Sequence, residues 1–132
     1  MYHVVIGVDD NEERAVACAK AAADLPGEAS EKRVTIIHSF TDNPSGASAT
    51  QIGSVREATS YLEDHGVDVQ VTESSGDPAE QILDAADEGD ANLIIVAGRK
   101  RSPTGKALFG SVTQSVILKA DRPVMVAGDR DD

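Results

Sequence analysis

Apolar residues in this chain fall into short runs, separated by stretches where they recur every three or four positions. Val4-Val5-Ile6-Gly7-Val8, Val34-Thr35-Ile36-Ile37-His38 and Leu93-Ile94-Ile95-Val96-Ala97 are almost continuously apolar. Val67-Asp68-Val69-Gln70-Val71 alternates, and Pro123-Val124-Met125-Val126-Ala127 closes the series. Runs of this length, rich in β-branched residues and bounded by Gly, Asp or Pro, predict five strands. Strands without a polar face predict a parallel sheet covered on both sides.

The intervening stretches read as helices. Asn11 to Leu25 carries Ala15, Ala19, Ala22 and Ala23 at helical spacing, and Pro26-Gly27 stops it. Gln51 to Asp64 places Ile52, Val55, Ala58, Tyr61 and Leu62 on one stripe ahead of Gly66. Asp77-Pro78 opens a third helix, with Asp77 as N-cap and Pro78 at the first helical position, running to Glu88 before Gly89. Ser111 to Lys119 makes a fourth, stopped before Pro123. The order βαβαβαβαβ predicts one open α/β sheet with right-handed crossovers. Two polar stretches interrupt it, Thr41 to Thr50 and Gly98 to Gly110. The domain is expected over residues 1–128, with 129–132 as a polar tail.

Composition narrows the function classes. A chain of 132 residues is one domain and buries a core without disulfides. No apolar run nears the ~20 residues that span a bilayer, and the start of the chain lacks a secretory pattern. One cysteine, Cys18, excludes an internal disulfide and a Cys-based zinc site, and it is read as a small core residue. These features predict a soluble cytoplasmic protein. Acids outnumber bases 23 to 12, for a net charge of −11. Such a surface repels nucleic acid and anionic membranes, so neither is an expected partner. The 14 Asp against 5 Lys, with few aromatics, predict solubility in high salt and a halophilic source.

In open α/β sheets, ligands bind beyond the carboxyl ends of the strands, at the switch in strand order. Val8-Asp9-Asp10, His38-Ser39-Phe40 and the segment from Gly98 onward reach that edge. Arg99, Lys100, Arg101 and Lys106 pack four of the 12 basic residues into that last segment. Gly98, Gly105 and Gly110 permit close backbone approach, and Gly110-Ser111 opens a helix whose N–H groups favour an anion. The segment reads as a phosphate cradle, or as a solvated basic loop with Ser111 as a plain N-cap. It is not a Walker A loop, since Lys106 precedes Ala107, and no G-x-G-x-x-G follows the first strand. His3, His38 and His65 lack metal-ligand spacing, and no G-x-S-x-G elbow occurs. His38 is read as a strand histidine. Asp9, Asp10 and Asn11 stand where the first helix starts, so capping accounts for at least one of them.

The chain resembles the universal stress protein (UspA) family over essentially its whole length. The matching pieces run in order: Gly7-Val8-Asp9-Asp10-Asn11-Glu12, Ile37-His38-Ser39, Gly76-Asp77-Pro78-Ala79-Glu80-Gln81-Ile82 and Ile94-Ile95-Val96-Ala97-Gly98. Phe109-Gly110-Ser111-Val112-Thr113-Gln114-Ser115-Val116 is the most specific, followed by Arg122-Pro123-Val124-Met125-Val126. The resemblance implies a doubly wound sheet of five parallel strands, order 3-2-1-4-5. It also implies ATP binding, possible with Mg²⁺ near Asp9, through a pattern G-x2-G-x9-G-S/T. Gly98 fits the first Gly and Gly110-Ser111 the last pair. Arg101 stands where the second Gly belongs, and the loop is one residue short. Arg101 either obstructs the phosphate path or binds phosphate through its guanidinium, while Gly105 supplies flexibility at a shifted position, and Arg99 is expected among the nucleotide-binding residues. By the same resemblance Asp9 lies near ribose and adenine, the backbone at Ser39 meets the adenine edge, and Val8 and Val112 line the pocket. A homodimer through Pro123, Val124, Met125 and Val126 is implied too. A dedicated enzyme is not expected, weak ATP hydrolysis at most; the alternatives are a nucleotide-free dimeric interaction protein and a slow ATPase that needs a partner. A receiver domain is rejected, because Glu73-Ser74-Ser75 offers no phosphoacceptor after the third strand.

Overall fold

The computed structural model describes residues 1–40, 52–98 and 110–128, with Ser39 and Phe40 described by backbone alone. The elements are β1 (Tyr2–Val8), α1 (Glu12–Ala23), a 3₁₀ turn (Ala29–Glu31), β2 (Lys32–Phe40), α2 (Gly53–Asp64), β3 (Asp68–Ser75), α3 (Pro78–Glu88), β4 (Leu93–Ala97), α4 (Ser111–Lys119) and β5 (Val124–Ala127). Among the described residues they form one five-stranded sheet in the order β3-β2-β1-β4-β5, every pair parallel. β1 is central, with Val4 opposite both Val34 of β2 and Leu93 of β4.

Alternation along the strands builds two cores. Val4, Ile6, Val34, Ile36, Leu93 and Ile95 pack with Cys18, Ala19, Val55 and Leu62 beneath α1 and α2. Val5, Ile37, Ile94 and Val96 point the other way, onto Ile82, Ala86 and Val116 of α3 and α4. The apolar runs therefore mean what their continuity implied: both sheet faces are covered. Among the described residues, no helix is long and apolar enough to cross a membrane.

Several boundaries differ from the sequence expectation, each for a local reason. The first helix spans Glu12–Ala23, not Asn11–Leu25, with Asn11 as its N-cap. Leu25 precedes Pro26, whose ring excludes helical backbone there, and Leu25 N–H turns back to the Ala22 carbonyl. The second helix begins at Gly53, and Gln51 lies outside the described residues. β1 and β2 begin earlier than their apolar runs, and β2 also extends further, to Phe40. β3 starts at Asp68 rather than Val67 and continues to Ser75, because its ladder to β2 runs on past the last apolar residue to Phe40↔Ser75. Val67 belongs instead to the turn closing α2, its N–H bonded to Leu62 O, with Gly66 at φ +78° supplying the left-handed residue. Pro123 falls just outside β5, yet its carbonyl accepts from Ile94 N–H. Residues 41–50, read as a polar loop, lie outside the described residues, as do 99–109 and the tail 129–132.

Candidate functional site

The chain leaves β1 toward β2 on one side of the sheet, while β4 and β5 lie on the other. The crevice at the carboxyl ends of β1 and β4 is the switch point where ligands bind in such sheets. A cavity of about 190 Å³ occupies it. Gly7, Val8 and Asp9 line it from β1 and the residue sequence just beyond, Val96 and Ala97 from β4, and Ile37 from β2. Arg14 and Ala15 of α1, Pro78 and Ile82 of α3, and Gly110 to Thr113 complete it.

Gly7 has a specific reason to be glycine. A Cβ there would collide with the Ile82 side chain, 3.0 Å from Cγ1 and closer to Cδ1. The bare backbone lets α3 settle against β1 beside the cavity.

The segment between β1 and α1 is held from several directions. Asn11 Oδ1 accepts from Arg14 N–H at 2.8 Å, the ordinary N-cap bond. Asp9 Oδ1 accepts from Asn11 N–H at 2.9 Å. Asp9 Oδ2 accepts from Arg14 Nε at 3.1 Å and pairs with Nη2 at 2.9 Å. The buried Ser54 hydroxyl of α2 donates to the Asp9 carbonyl at 2.6 Å. His38, buried at the end of β2, meets the exposed Asp10 carboxylate through Nε2 at 2.8 Å. His38 thus ties the loop to the sheet. The negative charge of Asp9 also reaches inward: burial first, and then that charge, push the Cys18 thiol up to about 12. Cys18 is fully buried in α1, as its place in an alanine-rich helix suggested.

The N-terminus of α4 contrasts with those of α1 and α3. Asn11 and Asp77 cap their helices through side chains. Gly110 is the N-cap of α4 and offers none, while Ser111 is the first helical residue and exposed. The reading of Ser111 as N-cap is therefore corrected: one place further on, its hydroxyl is not engaged in capping. The first N–H groups of α4 have no intrahelical acceptor and, with the helix dipole, suit an anion. Thr113 Oγ1 anchors this turn by donating to Ala97 O at 2.8 Å.

The structure brings Val8, Asp9, Gly110, Ser111 and Val112 into one cavity. Gly98 is buried one residue beyond β4, its N–H donating to Ala127 O at 2.9 Å. Ser39 lies on β2 opposite Ser74 of β3. Arg99, Arg101 and Gly105 lie outside the described residues. Pro123 is exposed, and Val124, Met125 and Val126 are half-buried on the edge strand. Among the described residues, no cluster of His, Cys, Asp and Glu could hold a metal ion.

Sequence reasoning missed Arg14, Gly7 and Ser54. Arg14 had a signal. A cation in the first turn of a helix opposes the dipole, whereas Glu12 and Glu13 beside it agree with it. Such a local conflict often marks a residue held by something outside the helix. Ser54 had none, because nothing in its neighbourhood along the chain points to Asp9.

The family model described as the universal stress protein family matches residues 1–128. A universal stress protein of Mycolicibacterium smegmatis is 38% identical over 74 residues, 55% of this chain and 57% of that protein. The chain spans about half the length of the curated relatives it matches. Among solved structures, a universal stress protein from Archaeoglobus fulgidus is 32% identical, with TM-score 0.70, covering 96% of this chain and 98% of that one. Another from Archaeoglobus fulgidus, in complex with dAMP, is 28% identical, with TM-score 0.69, covering 96% and 97%.

Proposed function

The chain belongs to the universal stress protein family, and from that premise we propose that it is an ATP-binding regulatory module of the stress response, acting as a homodimer. The observation that carries this reading is the cavity at the β1–β4 switch point, with Asp9 and the uncapped start of α4 both lining it. The archaeal dAMP complex supports an adenine nucleotide as the ligand class.

In this reading the Ser111 hydroxyl and the first N–H groups of α4 hold phosphate. Asp9 accepts from the ribose, Val8 and Val112 pack on the nucleoside, and the backbone at Ser39 meets the adenine edge. Gly98, Arg99, Arg101 and Gly105 complete the phosphate cradle. Asp9 is the carboxylate available to a Mg²⁺ ion. We assign the protein no dedicated enzymatic activity, and weak ATP hydrolysis at most. Its place is the cytoplasm, where it acts on a protein partner.

The dimer forms through β5. That strand is at the sheet edge and carries half-buried Val124, Met125 and Val126, with Ile117 41% and Leu118 83% exposed on α4 nearby. An unpaired apolar edge invites a second copy, and Pro123 limits how far the pairing runs. Met125→Arg converts a dimeric mass to a monomeric one in light scattering. A monomeric mass for the unaltered protein at micromolar concentration overturns the dimer. The acidic surface fits a halophilic source, with stability in molar salt and unfolding at low salt as the check.

The central experiment is calorimetric titration with ATP and Mg²⁺, and with AMP, in salt where the protein is folded. Micromolar binding lost on Gly110→Ala with Ser111→Ala supports the reading. Absence of binding up to millimolar nucleotide overturns it. It then favours the second reading, a nucleotide-free dimeric interaction module, to which Arg101 in place of glycine and the shortened loop point.

A further inference from the structure

We propose that Arg14 is a charge-specificity residue: by neutralising Asp9 inside the cavity, it lets a phosphate-bearing ligand enter a strongly acidic protein. The proposal rests on the adenine-nucleotide reading of the cavity and names what that site requires of its charges.

Asp9 and Arg14 are the charged residues among the described lining of the cavity. They form a fork, with Arg14 Nε 3.1 Å and Nη2 2.9 Å from Asp9 Oδ2. The Asn11 N–H takes the other carboxylate oxygen at 2.9 Å, so the carboxylate is oriented as well as neutralised. Both partners keep access to solvent, at 31% for the Arg14 side chain and 54% for Asp9.

Two features argue that Arg14 is there for charge rather than for helix stability. It occupies the first turn of α1, where the helix dipole disfavours a cation. The whole chain carries −11, so an anion meets repulsion before it reaches the crevice, and a bare carboxylate within would add to it. With the fork on Oδ2, Asp9 Oδ1 accepts only from Asn11 N–H and keeps a lone pair for a ligand hydroxyl, while the net charge of the pair is zero. Arg14 thus separates two properties of Asp9, its use as an acceptor and its repulsion of phosphate.

The test compares adenosine with AMP on one protein, so the nucleoside contacts cancel and the phosphate charge remains. In Arg14→Ala, the AMP dissociation constant rises about tenfold, the size of one unit charge–charge interaction at partly screened distance. That for adenosine changes less than about twofold. Adding Asp9→Asn to Arg14→Ala removes the exposed carboxylate and returns the AMP-to-adenosine affinity ratio to near its original value. Raising KCl narrows the gap between the two ligands in Arg14→Ala. Equal weakening of both ligands, or none of either, overturns the proposal and leaves the adenine-nucleotide reading standing. Failure of the unaltered protein to bind either ligand overturns both. Failure of the double variant to recover the ratio overturns the neutralisation mechanism.

Discussion

The two edges of the sheet differ in how completely the protein meets the ends of its own helices. At the amino edge, helix carbonyls are met by side chains of the protein itself. Lys32 is buried at 3% exposure, and its Nζ donates to Ala23 O at 3.2 Å and to Leu25 O, closing α1. His65 Nδ1 donates to Tyr61 O in α2 at 2.7 Å. Arg122 reaches Ala86 O, Ala91 O at 3.2 Å and the Asp87 carboxylate at 2.8 Å around the end of α3. His3 donates Nδ1 to Gly89 O at 3.0 Å, leaving Nε2 to accept from the Thr35 hydroxyl at 2.8 Å. At the carboxyl edge Asn11 and Asp77 cap α1 and α3, whereas α2 and α4 have no side-chain cap, and the start of α4 opens onto the cavity. The amino edge is satisfied internally and serves stability. The carboxyl edge leaves the first N–H groups of α4, beside the cavity, for something else to satisfy.

Breaking the first edge carries the largest effect. Lys32→Met and Arg122→Met each leave carbonyls without donors at a buried or half-buried helix end, and each costs ~3 kcal/mol of unfolding free energy. Denaturant titration checks the stability, and the nucleotide dissociation constant of the folded fraction stays unchanged. Gly7→Val comes next, because it affects both properties. Its side chain displaces Ile82, with an overpacking cost of ~2 kcal/mol, and ligand affinity falls with it.

Ser111→Ala separates the edges in the other direction. Its hydroxyl is not used in capping, so melting shifts little, while the nucleotide dissociation constant rises about tenfold, ~1.4 kcal/mol. Cys18 offers a pH test of the core between the edges. Its folded pKa of about 12 stands above the unfolded 9.0. The unfolded chain therefore loses its proton first, and this contribution is fully present below pH 9 and drains as pH rises toward 12. Between pH 9 and 10 the loss is ~1 kcal/mol by linkage. Cys18→Ala removes that slope in denaturant melts. The smallest effect is Asp10→Ala. Its carboxylate is 86% exposed, so losing its bond to His38 costs ~0.5 kcal/mol.

The strands, helix types and sheet order were legible because continuous apolar runs alternate with helical stripes, and because the order of motifs matches a known family. Boundaries were less legible where hydrogen bonding rather than hydrophobicity decides them. Thr72 to Ser75 extend β3 without an apolar side chain, since the β2 ladder suffices. Of the site, Asp9, Gly110 and Ser111 could be read from local patterns. Ser54 could not, being 45 residues from the carbonyl it holds. Nothing along the chain marks Lys32 and Arg122 as capping residues, because the carbonyls they cap are brought to them only by the finished packing.

The central position of β1 also has a consequence for the order in which the molecule assembles. β1 finds one partner in β2, close to it along the chain, but its other edge waits for Leu93, Ile94 and Ile95. Closing so long a loop is slow, so the β1–β4 contact belongs to the late steps of folding. The cavity spans that same seam and does not exist before it closes. A bound ligand would therefore act on the lifetime of the folded protein, slowing its unfolding while leaving its rate of folding almost untouched.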